Sequence, residues 1–487
     1  MIPRDRLEQI VDAKSLNYET AVLDDYAADM SFVNPVRPTC VVRPKQAAEI
    51  QQLVKLANET HTPLIPISSG PPHFRGDTVP GSGGAIIVDL SGMKQIMFVD
   101  RDRRVAMCEP GVTFSELIPA ARKAGLRLNM PLMPRANKSV VASILEREPV
   151  TLPKYQWDAS DPLACAGVCF GNGAEFRTGQ AAGPGTLEEQ WAVGGVQKAP
   201  YGPGTPSLHR LIQGAQGTMG IVTWLSMRCE LLPTLEQPFV VGSGDLDELL
   251  ELAYWLIRLS AVNECFILNN ASLAAMFTNS AADGRKLKAT LPAWTLFYTV
   301  AGYEYFPEER VASQISDITT ITQRLNLEAV HAVGGLTANV ILKAAQQPSD
   351  DRYWKLRPQG GCQDVFYLTP REKIAGQIGA MNELADRSGH AAADLGVYIQ
   401  PMVQGASYHC EFNLFYDNAD ARDRNRVKDL TETATRQLLN LGAFFSRPYG
   451  NDTRSILNRD SASVEVLRTF KKIFDPNNVM NPGKVCF

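Results

Sequence analysis

The chain has 487 residues, 45% of them hydrophobic, and a formal net charge of −4. A single hydrophobic core stops growing near ~250–300 residues, so this length calls for two substructures. The weak negative charge gives no basic field for nucleic acid, and no Lys/Arg stripe is interleaved with aromatic residues. No run of ~18 uncharged apolar residues occurs, so no membrane-spanning helix is expected. The opening MIPRDRLEQIVDAKSLNYET lacks an apolar stretch of signal-peptide length. Nine cysteines are scattered without a framework, which points to reduced thiols and a cytoplasmic protein. Cys165 and Cys169 are close, but no second pair or finger-spaced histidine accompanies them, so they read as buried apolar filler. The six histidines are dispersed, and no metal-ligand set is expected.

In chain order, TCVVRP is a short β-branched run ended by Pro44. Residues 46–60 follow, with Ala48, Ile50, Leu53, Val54 and Ala57 at helical spacing. PLIPISSG predicts a strand running into a Gly/Pro-rich loop. GGAIIVDLSGM and VAMCEPGVT predict two further strands, each ended by a turn. Residues 114–126 predict an amphipathic helix closed by Gly125. The mixture breaks near residue 232. Beyond it, 246–259, 308–325 and 371–388 predict helices, and 294–300, 396–401 and 409–416 predict strands. That pattern implies a sheet with helices on one face. The tail from about 441 predicts one helix and an ordered Pro/Gly terminus.

Residues 66–76, PISSGPPHFRG, carry the first chemical signal. Small residues after a strand let main-chain N–H groups converge on a pyrophosphate. Taken alone, the loop is equally a surface turn, because neither G-x-G-x-x-G nor a P-loop Lys-Ser/Thr follows. The context narrows this. PKQAAEIQQLVKLANETHTPLIPISSG, GGAIIVDLSGM, CEPGVTFSELIPAARKAGL, SVVASILERE, FRTG, GAQGTMGIVTWLSMRCELLP and the tail DPNNVMNPGK stand in one order. Together they resemble the vanillyl-alcohol oxidase and para-cresol methylhydroxylase family. The match is nearly continuous from 38 to 233, thin from 236 to 395, and returns from about 396 to 487.

The resemblance implies FAD. In the first loop it assigns Pro66, Ile67, Ser68, Ser69, Gly70 and Pro71 to the cofactor. Pro110 and Gly111 follow in the Pro-Gly turn. Ser139, Ser143, Glu146 and Arg147 come from the SVVASILERE segment. Gly220, Ile221 and Val222 come from the closing strand, and Lys484 from the tail. His409 falls where vanillyl-alcohol oxidase attaches its flavin covalently, although a core histidine on a strand fits equally well. Cys410 alternates to the opposite strand face. Two departures bear on the cofactor. Pro71 and Pro72 remove two N–H donors from the loop, and Val141 and Ala142 stand where many relatives have glycine.

Asp158 matches the family's acidic residue near the flavin N5, with Asp161 as fallback; the turn-like WDASDP also fits a solvent loop. Arg447 matches the arginine that helps bind phenolate. The tyrosine before it is Ser446 here, and the first loop's phenolate-binding tyrosine is Arg75. Tyr449 can restore one hydroxyl. Two converging arginines suit a carboxylate or another anion, whereas a surface Arg75 would pair with Asp77.

The expectation is therefore an α+β fold. A PCMH-type FAD-binding domain of two small mixed sheets spans 1–235. A cap domain with an antiparallel sheet and flanking helices spans 236–440, and 441–487 returns to the first domain. The expected activity is hydride transfer to flavin N5 from a small, aromatic, anionic alcohol or alkyl-phenol-like substrate. The alternatives are D-2-hydroxy acid oxidation, or a non-catalytic flavoprotein subunit of a larger complex. Electrons would pass to O₂ or to a separate acceptor protein such as a cytochrome, since the chain has no C-x-x-C-H haem site. Family habit implies a homodimer or larger.

Overall fold

A computed structural model describes residues 2–153, 162–183, 185–195, 198–200, 202, 204, 208–350 and 352–487. Three sheets organise it. The first is mixed, in the order Leu16–Asn17, Cys40–Val42, Ile86–Asp89, Leu64–Ile67. Its first pair is antiparallel and the other two are parallel. The parallel strands are joined through the Ala47–Thr60 helix, whose Ile50, Leu53, Val54 and Ala57 are buried at the anticipated spacing.

The second sheet runs Ile96–Asp100, Val105–Cys108, Gly220–Leu231, Leu163–Phe170, Glu175–Arg177, with Leu126–Leu128 also paired to Gly220–Leu231. Every pairing in it is antiparallel, which corrects the expectation of two mixed sheets. The cause is the connections, because the Val105–Cys108 and Leu163–Phe170 strands both flank the long closing strand in reverse sense. The Phe114–Lys123 helix starts at a Thr113/Glu116 capping box and is followed by Gly125 at φ +71. Cys165 and Cys169 are buried free thiols.

The third sheet is antiparallel, in the order Leu235–Ser243, Trp294–Gly302, Cys265–Asn269, Gly396–Met402, Ser407–Asp417, Gly360–Thr369. Helices Leu246–Arg258, Pro307–Arg324, Ile374–Arg387 and Ala421–Asn440 bury their apolar stripes on one face. Asn270–Phe277 and Ala338–Ala345 pack on the other, over Phe266, Leu268 and Phe297. Helices on one face alone is therefore too simple. The short second-face helices pack there together with Leu132 and Met133.

The tail stitches back. Leu64 donates its N–H to the Val479 carbonyl at 2.7 Å, and Asn481 donates to the Leu64 carbonyl at 2.9 Å. The Lys471 ammonium donates to the Thr218 and Met480 carbonyls at 2.6 and 2.9 Å. Among the described residues no helix is long and apolar enough to cross a membrane.

Candidate active site

A cavity of about 1290 Å³, counted with its opening to solvent, lies where the Leu64–Ile67 strand, the Val140–Leu145 helix, the Gly220–Leu231 strand and the third sheet meet. Pro66, Ile67, Ser68, Ser69, Pro110, Glu146, Gly220, Ile221 and Val222 line it, as do Arg75 and Tyr449. The sequence assigned all of these to the site.

Several assigned residues stand behind the wall. The Gly70 N–H is spent on the Asn137 carbonyl at 3.0 Å, so this donor does not face a phosphate. Pro71 and Asn137 close the same turn, where the Asn137 amide donates to the Pro71 carbonyl. Gly111 donates to the Met93 carbonyl at 2.7 Å, and a Cβ there would meet three carbonyls at 2.5–2.7 Å. Ser139 caps the Val140–Leu145 helix, accepting from Ala142 N at 3.0 Å and donating to the Pro110 carbonyl. Ser143 donates to Glu148 at 2.7 Å. Arg147 (φ +55) and Lys484 do not line the cavity, although Lys484 feels Asp77 and Asp29. Asp158 and Asp161 lie outside the described residues.

The loop can still take an anionic group. Ser68 and Ser69 line the cavity, and among the described residues no protein acceptor takes their backbone N–H groups. Gly217 (φ +70) also lines the wall, and a Cβ there would stand 2.5 Å from Pro66. Only glycine permits this approach of the two chain segments. His73 supplies an independent sign. It lines the cavity, and its Nε2 is buried without a partner. Burial, then Arg135 and Lys138, push its pKa down to about 3, so the ring is neutral. A buried unpaired ring nitrogen is costly unless a ligand completes it.

One end of the cavity is densely charged. Arg75 pairs with Glu146 and, at 3.2 Å, with Glu148, so the surface pairing with Asp77 is not the one formed. Lys138 adds contacts of 2.6 Å to Glu146 and 3.6 Å to Glu148. Burial alone would raise the Glu148 pKa, but Lys138 and Arg75 hold it down to about 2. Arg447 does converge with Arg75. Their guanidinium carbons stand 4.5 and 5.2 Å from the Phe366 ring centre, and Arg75 is also 5.1 Å from Tyr449. Arg447 donates to the Glu146 carbonyl at 3.0 Å. Burial and the neighbouring Arg75 bring its pKa down to about 10, so it stays charged at neutral pH. Arg447 lines an adjoining cavity of about 830 Å³, which shares Phe74, Arg75, Asp364 and Tyr449 with the first.

His409 is buried, with Nε2 3.3 Å from Glu411 and Nδ1 unpartnered, and it is not among the residues lining the large cavity. Burial lowers its pKa to about 4 against the pull of Glu411. Sequence reading missed Lys138, Glu148, Lys355, Asp364 and Glu411. For the last, the alternation of His409, Glu411 and Asn413 with Cys410, Phe412 and Leu414 was a usable sign of a polar face.

Asp77 faces the cavity, and burial followed by Glu146 pushes its pKa up to about 6. A carboxyl raised on folding favours the folded state at low pH and loses that contribution as pH rises through 6. Asp77→Asn is expected to raise the melting temperature by a few degrees above pH 6 and to leave it unchanged below pH 4. Thermal unfolding measured at both pH values checks this.

The comparisons with known proteins agree with this geometry. Residues 38–145 match the FAD binding domain, and 272–485 match the C-terminal domain of FAD linked oxidases. The D-2-hydroxyglutarate dehydrogenase of Stutzerimonas stutzeri is 22% identical over 99% of this chain and 98% of its own. The flavoprotein subunit of Pseudomonas putida 4-cresol dehydrogenase is 27% identical over 44% of this chain and 39% of its own. The substrate-bound crystal structure of p-cresol methylhydroxylase superposes with a TM-score of 0.84, at 20% identity, over 99% of this chain and 96% of that one. With the FAD domain leading and the oxidase C-terminal domain following, the chain belongs to the FAD-linked oxidases, and its fold is that of p-cresol methylhydroxylase.

Proposed function

We propose that the chain oxidises a small aromatic substrate bearing an anionic group, held at the charged end of the cavity. The observation that carries this reading is the convergence of Arg447 and Arg75 on Phe366, beside Tyr449. FAD bound in the cavity supplies the acceptor for a hydride leaving the substrate carbon. In this reading the Ser68 and Ser69 N–H groups meet the pyrophosphate, while Gly220 to Val222 and the Val140–Leu145 helix wall the cofactor in. Arg447 presents a planar fork to a phenolate or carboxylate and fixes its approach. Arg75 is already balanced by Glu146 and Glu148, so it orders the wall more than it adds free positive charge. Asp158 is proposed to take the substrate hydroxyl proton. With His409 outside the cavity lining, the flavin is proposed to be held without a bond to this residue.

A second reading, oxidation of a D-2-hydroxy acid, draws support from the full-length match to D-2-hydroxyglutarate dehydrogenase and from the fit of Arg447 to a carboxylate. Anaerobic mixing of the flavin-loaded protein with 4-hydroxybenzyl alcohol, and separately with D-2-hydroxyglutarate, separates the two. The first reading expects the flavin band to bleach at least tenfold faster with the aromatic alcohol. The opposite order would replace it with the second. Electrons are proposed to leave for a separate acceptor protein or O₂, and the chain to assemble as a homodimer.

A further inference from the structure

The cations that line the large cavity are not equally paired. Arg75 and Lys138 share Glu146 and Glu148 between them. Arg135 lines the same cavity, is 8% exposed, and forms no ion pair among the described residues. Its Nη1 is engaged by the first loop, donating to the Gly70 carbonyl at 2.7 Å, to the Pro72 carbonyl and to Asn137 at 3.3 Å. These acceptors are neutral, so they satisfy N–H groups without balancing the charge. Nε and Nη2 have no protein partner among the described residues. A guanidinium stays protonated in a protein, and a buried charge is unfavourable until a counter-charge meets it.

The Phe74 ring brings further groups to this cation. The Arg135 guanidinium carbon stands 5.4 Å from the Phe74 ring centre, and the Tyr353 ring meets Phe74 edge-on at 5.5 Å. Tyr353 also lines the cavity, and its hydroxyl makes no hydrogen bond among the described residues. Burial pushes its pKa up, so the hydroxyl keeps its proton and is a donor. His73, next to Phe74 in the chain, lines the cavity with its Nε2 unpartnered. Burial and then Arg135 depress the His73 pKa, and burial depresses that of Arg135 against the pull of Glu146 and Tyr353. The three groups are therefore electrostatic neighbours.

Their chemistry selects one kind of ligand. Nε and Nη2 form one two-pronged edge of the guanidinium, the edge that takes both oxygens of a carboxylate or phosphate. An oxyanion supplies the missing negative charge and also the acceptor oxygens that this edge and the Tyr353 hydroxyl need. A neutral ligand would fill the hydrogen bonds and leave the charge unbalanced, and a cationic one would meet Arg135 directly.

We propose that Arg135, with Tyr353 and His73 beside it around Phe74, is an oxyanion-binding site of the large cavity, taking the diphosphate of the flavin cofactor or an anionic group on the substrate. It is separate from the part given to Arg447, which lines the adjoining cavity. The apoprotein is titrated with FAD, and the flavin-loaded protein with benzoate and with benzamide, its uncharged counterpart, each followed by the flavin signal. Arg135→Gln keeps a donor for the loop carbonyls and loses the charge. It is expected to lower FAD affinity, or the preference for benzoate over benzamide, about tenfold, the scale of one charge-assisted contact. The first result names the cofactor as the source of the oxyanion, and the second names the substrate. Arg135→Lys should recover part of the loss, and Tyr353→Phe should weaken the same ligand about threefold. Unchanged FAD affinity and unchanged preference in Arg135→Gln overturn the proposal and leave the reading of Arg447 intact. So does a loss that Arg135→Lys leaves unrepaired, which would trace it to the loop carbonyls, and so does a Tyr353→Phe protein that binds both ligands as the parent does.

Discussion

Arg447→Ala is expected to lower the rate of anaerobic flavin reduction by the preferred substrate about 100- to 1,000-fold, with the flavin still bound. That loss corresponds to removing a preorganised, charge-assisted contact from a water-poor site. Arg447 is only 4% exposed and stays charged despite burial. Its guanidinium carbon stands 4.5 Å from the Phe366 ring centre. Arg447→Lys should recover only part of the rate, because a point charge does not reproduce the planar fork. Stopped-flow reduction with flavin content measured in parallel checks both variants. Full turnover in Arg447→Ala would remove Arg447 from substrate binding.

The second large effect concerns stability. Lys355→Met leaves Asp364 and Glu411 facing each other without their shared cation, a loss of about 3–5 kcal/mol. In the unaltered protein, Lys355 and His409 hold the Glu411 carboxyl below its usual range against the effect of burial. A carboxyl depressed on folding contributes stability above its unfolded pKa, and this is lost as pH falls through the folded value. Lys355→Met reverses the sign, since two uncompensated carboxylates are pushed up and their repulsion eases as they take up protons. The melting temperature of the variant should therefore fall well below that of the parent at pH 8, and the gap should narrow towards pH 5. A gap independent of pH would contradict the shared-cation account.

Much of the fold was legible because its signals are local. The buried Ile50, Leu53, Val54 and Ala57 of Ala47–Thr60, and the apolar runs of Leu64–Ile67 and Ile86–Asp89, repeat with the period of the element they form. The loop residues 66–69 and the strand residues 220–222, assigned to the cofactor from the sequence, line the cavity. What escaped was set by long-range pairing. The sense of the strands around Gly220–Leu231 depends on connections rather than on composition. The Gly70 N–H, assigned to the cofactor from its loop, is taken by the Asn137 carbonyl, 67 residues on. Arg75 lies two residues from Asp77, yet it is bound to Glu146 and Glu148, more than 70 residues away. Lys355, Asp364 and Glu411 come from three segments and become one cluster only when the strands register.

The most direct test of the central claim is the absorbance spectrum of the purified chain, taken before and after acid precipitation. The account predicts a flavin band of about one FAD per chain that passes into the supernatant, since His409 is not among the residues lining the cavity. A band retained in the pellet would contradict the non-covalent site. A protein that shows no flavin band, even after reconstitution with FAD, would contradict the assignment as a whole.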